Sequence, residues 1–221
     1  MTNNARNTMD TTDSQSTDPK QGGVWYEIVS FFKTLAVIFV LAFSIRITIV
    51  EPFKIPSGSM IPTLQIGDFI LVLKCWYGIQ LPYVTESPAM WNSPKRGDVV
   101  VFTRPDDPNT PHEDDSAIYL IKRVIGVAGD TIEVRGPQLY RNGEPVQEAY
   151  ARWSAGGAFG GNFGPAVIPE GKILLLGDNR DNSKDSRFWT EPFLDARRVK
   201  GKAVVVFWSW DSFKRIFTLI R

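Results

Sequence analysis

Apolar positions fall into one long block and a series of short ones. The block runs from Ile28 to Val50 and is broken by charge only at Lys33 and Arg46. As a helix, at about 1.5 Å per residue, it extends roughly 34 Å, enough to cross a hydrocarbon core of roughly 30 Å if both cations reach towards the head groups. Trp25 and Tyr26 stand where an interfacial aromatic belt would lie. A buried soluble helix would show a polar face, which this block lacks. A cleavable signal peptide is the closer rival, because Ala42-Phe43-Ser44 has its small-x-small form. The apolar residues continue through Ile45, Ile47, Ile49 and Val50, however, which favours an uncleaved anchor. Arg6, Lys20 and Lys33 before the span, against mainly Lys54 after it, put the N-terminal side inside and the following domain outside.

The short blocks have strand length. They are Phe69–Leu73, Asp98–Phe102, Ile118–Val127, Thr131–Val134, Lys172–Leu176 and Ala203–Phe207, separated by Gly, Pro, Asp and Asn clusters. Asn142-Gly143 marks a tight hairpin between Tyr140 and Val146. Residues 76–97 read as an irregular connection and the glycine-rich stretch 154–166 as loop. No helical period of any length separates the strands. The prediction is a mostly β, antiparallel domain over 52–221 behind one transmembrane helix in an anchor over 25–51, with a polar disordered tail over 1–24.

Composition narrows the chemistry. The 221 residues are 43% hydrophobic and 22% charged, a globular balance, and a net charge of +1 gives no reason to expect nucleic-acid binding. Cys75 is the single cysteine and His112 the single histidine. An internal disulfide and a Cys/His metal site are therefore excluded, and no cofactor is implied. A Ser-His-Asp triad would have to use His112, which sits in the polar, proline-flanked stretch Thr110–Asp115 and reads as a solvated loop residue.

Three stretches carry candidate chemistry. Phe53–Leu64 presents Ser57 and Ser59 around Gly58 between Pro56 and Pro62, a stiff loop that by itself could be an ordinary turn leaving a membrane. Lys122 shares a strand face with Ile118, Leu120 and Val124, Arg123 taking the other face. It is either an inward lysine protecting an edge strand or a desolvated amine able to act as a general base. Gly177–Arg187 alternates Asp, Asn, Arg and Ser after an apolar strand. Arg180, Ser183 and Trp189 fall where a calcium loop would need ligand, glycine and glutamate, so a salt-bridged network steadying a nearby site is the better reading.

Together these stretches resemble the type I signal peptidase family, membrane-bound Ser/Lys proteases that remove signal peptides from exported proteins. Pro56-Ser57-Gly58-Ser59-Met60 with Pro62-Thr63-Leu64 resembles the serine box, with Gly67-Asp68 following. Ile121-Lys122-Arg123 with Gly126 and Gly129-Asp130 resembles the lysine box, and Gly177–Arg187 the Gly-Asp-Asn-Arg-Asp-Asn-Ser-x-Asp-Ser-Arg box. The resemblance implies Ser59 as nucleophile, Lys122 as general base and Ser57, with the Ser59 N–H, as oxyanion hole. It implies that Ser183 orients the lysine amine while Asp178, Asp185 and Arg187 hold their loop. Phe53, Ile55, Pro56, Leu64 and Ile121 match pocket positions for the small residues of an Ala-x-Ala site. The implied partners are signal peptides of exported preproteins and the lipid bilayer, with no metal. The implied location is the bacterial inner membrane, single-pass, with the catalytic domain on the periplasmic face. Leu120 departs from a branch that has tyrosine there, and the short stretch between the second and third boxes implies a small accessory β-region over about 131–171.

The aromatic and basic segment Phe207–Phe217 fits either core or a surface resting on a bilayer. Two other functions stay open at this stage: a Ser/Lys processing peptidase of a conjugation system, and a non-catalytic membrane-tethered β-domain.

Overall fold

A computed structural model describes residues 23–80, 84, 86–103, 119–154 and 161–221. The expected N-terminal tail, except for Gly23 and Val24, lies outside the described residues, as does His112. The chain divides into two units, one reaching Ala42 and the other running from Phe43 to Arg221. Helix α1 spans Val24–Thr48 and is long and apolar enough to cross a membrane. Its side chains, such as Phe31 and Phe39, are exposed, as a lipid-facing helix requires. The helix stops short of the predicted anchor boundary, because Val50 and Glu51 already belong to a strand.

That strand, β1 (Val50–Lys54), pairs with β2 (Asp68–Leu73), so the serine-bearing loop is the connection of an antiparallel hairpin. The chain continues through β3 (Val99–Thr103), β4 (Tyr119–Val127), β5 (Thr131–Arg135), β6 (Gln138–Arg141), β7 (Glu144–Val146) and β8 (Phe163–Val167). It ends with β9 (Lys172–Leu176), β10 (Leu194–Asp195), β11 (Val199–Ser209) and β12 (Thr218–Leu219). One antiparallel sheet has the order β1-β2-β11-β3-β4-β9-β10, with β12 added to β11, and a second has the order β7-β6-β5-β8. Among the described residues the only other helical pieces are single 3-10 turns.

Most predicted strands appear within a residue or two. Asn142 and Gly143, at φ 54° and 84°, make the tight turn between β6 and β7 that their sequence announces. Strand β8 corrects the expectation of loop over 154–166, of which 155–160 lie outside the described residues. Its residues Phe-Gly-Pro-Ala-Val have little strand propensity of their own, and pairing with β5 supplies the order. Gly164 permits the approach, since a Cβ there would stand 2.3 Å from the Ile132 carbonyl oxygen.

Strand β4 lies between β3 and β9, so Lys122 is not on an edge and the edge-protecting reading falls. One core cluster joins Met60 and Leu64 of the serine loop to Ile70, Val72, Val101 and Val206. Full burial of such side chains contributes about 1.5–3 kcal/mol each, which seats the loop on the sheet. Another cluster packs Ile125, Leu174 and Leu176 of the large sheet against Ile132, Val134 and Leu139 of the small one.

Candidate active site

Ser57 is extended, and Gly58–Met60 form a 3-10 turn closed by the Ile61 N–H donating to the Gly58 carbonyl. Met60 points into the core and Ser59 faces β4. Lys122, which pairs with Val100 of β3, sends its Nζ to donate to Ser59 Oγ at 2.9 Å and to the Ile121 carbonyl at 3.1 Å. Ser59 is 8% and Lys122 5% exposed, so the contact lies largely out of water. Ser57 Oγ stands 3.5 Å from Ser59 Oγ at the exposed mouth of the turn. A hydroxyl held against a buried amine can be deprotonated in place, and a second hydroxyl beside it can donate to a developing oxyanion.

The Gly177–Arg187 loop closes the other side. Asp178 accepts from Arg123 Nε and a terminal guanidinium nitrogen at 2.8 and 2.7 Å and from Thr63 Oγ1 at 2.5 Å. One carboxylate thereby ties together the serine loop, the lysine strand and its own loop. Asp185 accepts from the Gly177 N–H at 3.0 Å and pairs with Arg187, which in turn donates to the Arg180 carbonyl. Asn179 donates its N–H to the Ser59 carbonyl and its side-chain amide to the Gly58 carbonyl, both at 3.0 Å. Gly177 is required by space: a Cβ there would meet Ser183 Oγ at 2.2 Å and the Ser59 carbonyl oxygen at 2.5 Å.

The chain matches the family model described as signal peptidase, peptidase S26, over residues 28–208. The chain belongs to that signal peptidase family. Signal peptidase I of Pseudomonas aeruginosa is 39% identical, the alignment covering 83% of this chain and 72% of that protein. Signal peptidase I of Bacillus licheniformis is 31% identical over 92% of this chain and 98% of its own. Among solved structures, a signal peptidase I from Enterococcus faecalis aligns at 28% identity with a TM-score of 0.38, covering 50% of this chain and 97% of that one. The protein is thus a serine endopeptidase by family, with an antiparallel β fold preceded by an apolar helix.

Several residues of this signal peptidase stand differently from the sequence expectation. Ser183 is fully buried, but its hydroxyl makes no hydrogen bond, so the expected contact with the lysine amine is not formed. Ile55 and Leu64, expected in the substrate pocket, are 2% and 0% exposed and form the layer beneath the loop. Phe53 and Ile121 are half-buried on that layer, Phe53 meeting Tyr119 edge to face at 5.6 Å, and Pro56 is exposed beside Ser57.

Other residues were not singled out from sequence. Arg123, read only as taking the opposite strand face, is the buried cation that meets Asp178. Thr63 and Asn179 lie within the quoted motifs, so their place in a site was legible there but their partners were not. Asp68, of the Gly67-Asp68 pair, is buried and accepts from Arg215, which also donates to the Thr63 carbonyl. Burial pushes the Asp68 carboxyl up, but Arg215, the Gln65 N–H and Ser209 outweigh it and hold it below the ordinary carboxylate value.

Proposed function

We propose that the chain is a membrane-anchored signal peptidase that cuts exported preproteins after an Ala-x-Ala-like site, using Ser59 as nucleophile and Lys122 as general base. The observation that carries this reading is the buried 2.9 Å contact between Lys122 Nζ and Ser59 Oγ. Ser59 Oγ attacks the scissile carbonyl carbon as its proton passes to Lys122. The oxyanion is met by the Ser57 hydroxyl and the Ser59 N–H. Collapse breaks the C–N bond, and the Lys122 ammonium protonates the departing amino terminus of the mature protein. Water then attacks the ester carbonyl as Lys122 takes its proton, the Lys122 ammonium returns that proton to Ser59 Oγ as the acyl C–O bond breaks, and the signal peptide leaves as a carboxylic acid that ionises in water. The scheme needs an uncharged amine before attack, and a side chain 5% exposed is where water can least stabilise the ammonium.

Phe53, Pro56 and Ile121 form a shallow apolar wall suited to small side chains. Ile55 and Leu64 set its depth from below. Asp178, Asp185 and Arg187 keep the third loop in place. The domain organisation goes with this reading: a tail over 1–24, an anchor over 25–51 and a catalytic domain over 52–221, with the small sheet as an accessory region within about 131–171. The anchor crosses a bacterial inner membrane once, leaving the catalytic domain on the periplasmic face. Trp210 and Phe213, 68% and 73% exposed, suit contact with the bilayer.

The test is cleavage of a fluorogenic Ala-x-Ala peptide and of a preprotein in detergent by wild type, Ser59→Ala and Lys122→Met. The dyad requires cleavage by wild type and none above background by either variant. Wild-type rates in either variant would remove that residue from the chemistry.

A further inference from the structure

The segment 148–154, which leaves the small sheet after β7, runs alongside the Gly177–Arg187 loop. The Arg152 N–H donates to the Asp178 carbonyl at 2.7 Å, and the Arg180 N–H donates to the Arg152 carbonyl at 2.9 Å. These two bonds make a parallel bridge between Arg152 and Asn179. Asn179 is therefore held on one side by this segment and on the other holds the carbonyls of Gly58 and Ser59. A continuous path of backbone hydrogen bonds leads from Arg152 to the serine turn.

The side chains fasten the same crossing. Both terminal nitrogens of Arg180 donate to Glu148, at 2.5 and 2.8 Å, and the pair is 0% and 4% exposed. Arg180 Nε donates to the Gly177 carbonyl at 3.1 Å. Tyr150 donates to Glu148 and lies under the Arg123 guanidinium, 3.9 Å from ring centre to carbon. A buried arginine is stabilised by a bidentate carboxylate and left costly without it. Glu148 is thus what permits Arg180 to sit beneath the loop.

We propose that segment 148–154 is a positioning strap, and that Glu148 acts through Arg180 and Asn179 to set the Ser59–Lys122 geometry. Glu148 touches neither member of the dyad. Its effect travels from the Arg180 guanidinium to the Gly177 carbonyl and the backbone of Asn179, whose N–H grips the Ser59 carbonyl. Segment 148–154, which follows the small sheet in the chain, is then what aligns the nucleophile, while among the described residues the sheet strands themselves touch neither the serine turn nor its loop. This inference rests on the Ser59/Lys122 reading given above.

The experiment compares wild type, Glu148→Gln, Glu148→Asp and Glu133→Gln in detergent, with rates expressed per site titrated by a serine-directed acylating inhibitor. Glu133 pairs with Arg135 in the same small sheet, so it controls for loss of an ion pair there. Expected for Glu148→Gln is a kcat lower on the order of 10- to 100-fold with KM within about 2-fold, because misplacing reacting groups slows the chemical step. The acid limb of its kcat/KM profile shifts as well, since the Ser59–Lys122 contact loosens. Glu148→Asp, which keeps the charge, recovers part of the rate, and Glu133→Gln matches wild type. Wild-type kcat and pH profile per titrated site in Glu148→Gln would overturn the strap, even if its thermal midpoint fell. An equal loss in Glu133→Gln would overturn it too. Loss of the underlying dyad reading looks different: Ser59→Ala would then keep cutting.

Discussion

Arg123 and Asp178 form a buried bidentate ion pair, 1% and 0% exposed, directly behind the Ser59–Lys122 contact. Arg123 adjoins Lys122 in sequence, and Asp178 also receives Thr63 from the serine loop. One pair therefore braces both halves of the proposed dyad.

Removing one partner strands a charge in the interior. Asp178→Asn or Arg123→Met should lower unfolding free energy by about 3–5 kcal/mol. The double variant Arg123→Met with Asp178→Leu should recover much of that loss while staying slow in cleavage. Denaturant titration in detergent, with peptide cleavage run alongside, measures both. A double variant no more stable than the worse single one would contradict this account.

Gly177→Ala places a methyl against Ser183 Oγ and the Ser59 carbonyl. The backbone carbonyl cannot rotate away, so the serine turn must shift. The expected outcome is a fall in kcat on the order of 100-fold, with a modest stability loss of about 1–3 kcal/mol for the overpacked contact. Wild-type kcat would mean that the turn tolerates displacement.

Ser183→Ala separates stability from catalysis. Its hydroxyl is buried with no hydrogen-bond partner, and such a group costs about 1–3 kcal/mol. The variant should unfold at an equal or higher denaturant concentration than wild type. With no hydrogen bond to the Lys122 amine to lose, it should cut at close to the wild-type rate. A loss of stability would show that the hydroxyl has a partner in the folded enzyme.

Acid sensitivity should trace in part to Asp68. Its carboxyl is held below the ordinary value of 3.8 in the folded state. The unfolded state then binds the proton first as pH falls, so the stabilisation is fully present above that value and is lost as pH drops through the folded one. The stability gap between wild type and Asp68→Asn should be constant from neutral pH down to about pH 4 and narrow below it. Denaturant midpoints across that range measure the gap; one that widens on acidification would reverse the sign of the argument.

Much of the strand pattern was legible because alternation and turn residues are local signals. Ile118–Val127 could be marked as a strand, and Asn142-Gly143 as the hairpin turn between Tyr140 and Val146, without any partner in view. Strand β8 was not legible, since Gly164 and Pro165 make order there only by pairing with β5. Ile55 and Leu64 could be placed near the site by resemblance, while their burial beneath it depends on Ile70, Val101 and Val206, which lie far along the chain. Glu148 carried no signal, because a lone glutamate after a hairpin looks solvated until Arg180 is seen against it.

By itself, then, the sequence determined the long apolar N-terminal helix, the antiparallel β character, the family and the residue types that could do the chemistry. Each of these depends on short-range pattern or on motifs read in order. Only the tertiary structure decided that Lys122 lies in the sheet interior within reach of Ser59, that Asp178 joins three stretches, and that segment 148–154 bears on the serine turn through Asn179. Those relationships join residues distant along the chain, and their strength comes from burial, which no local pattern of residues contains.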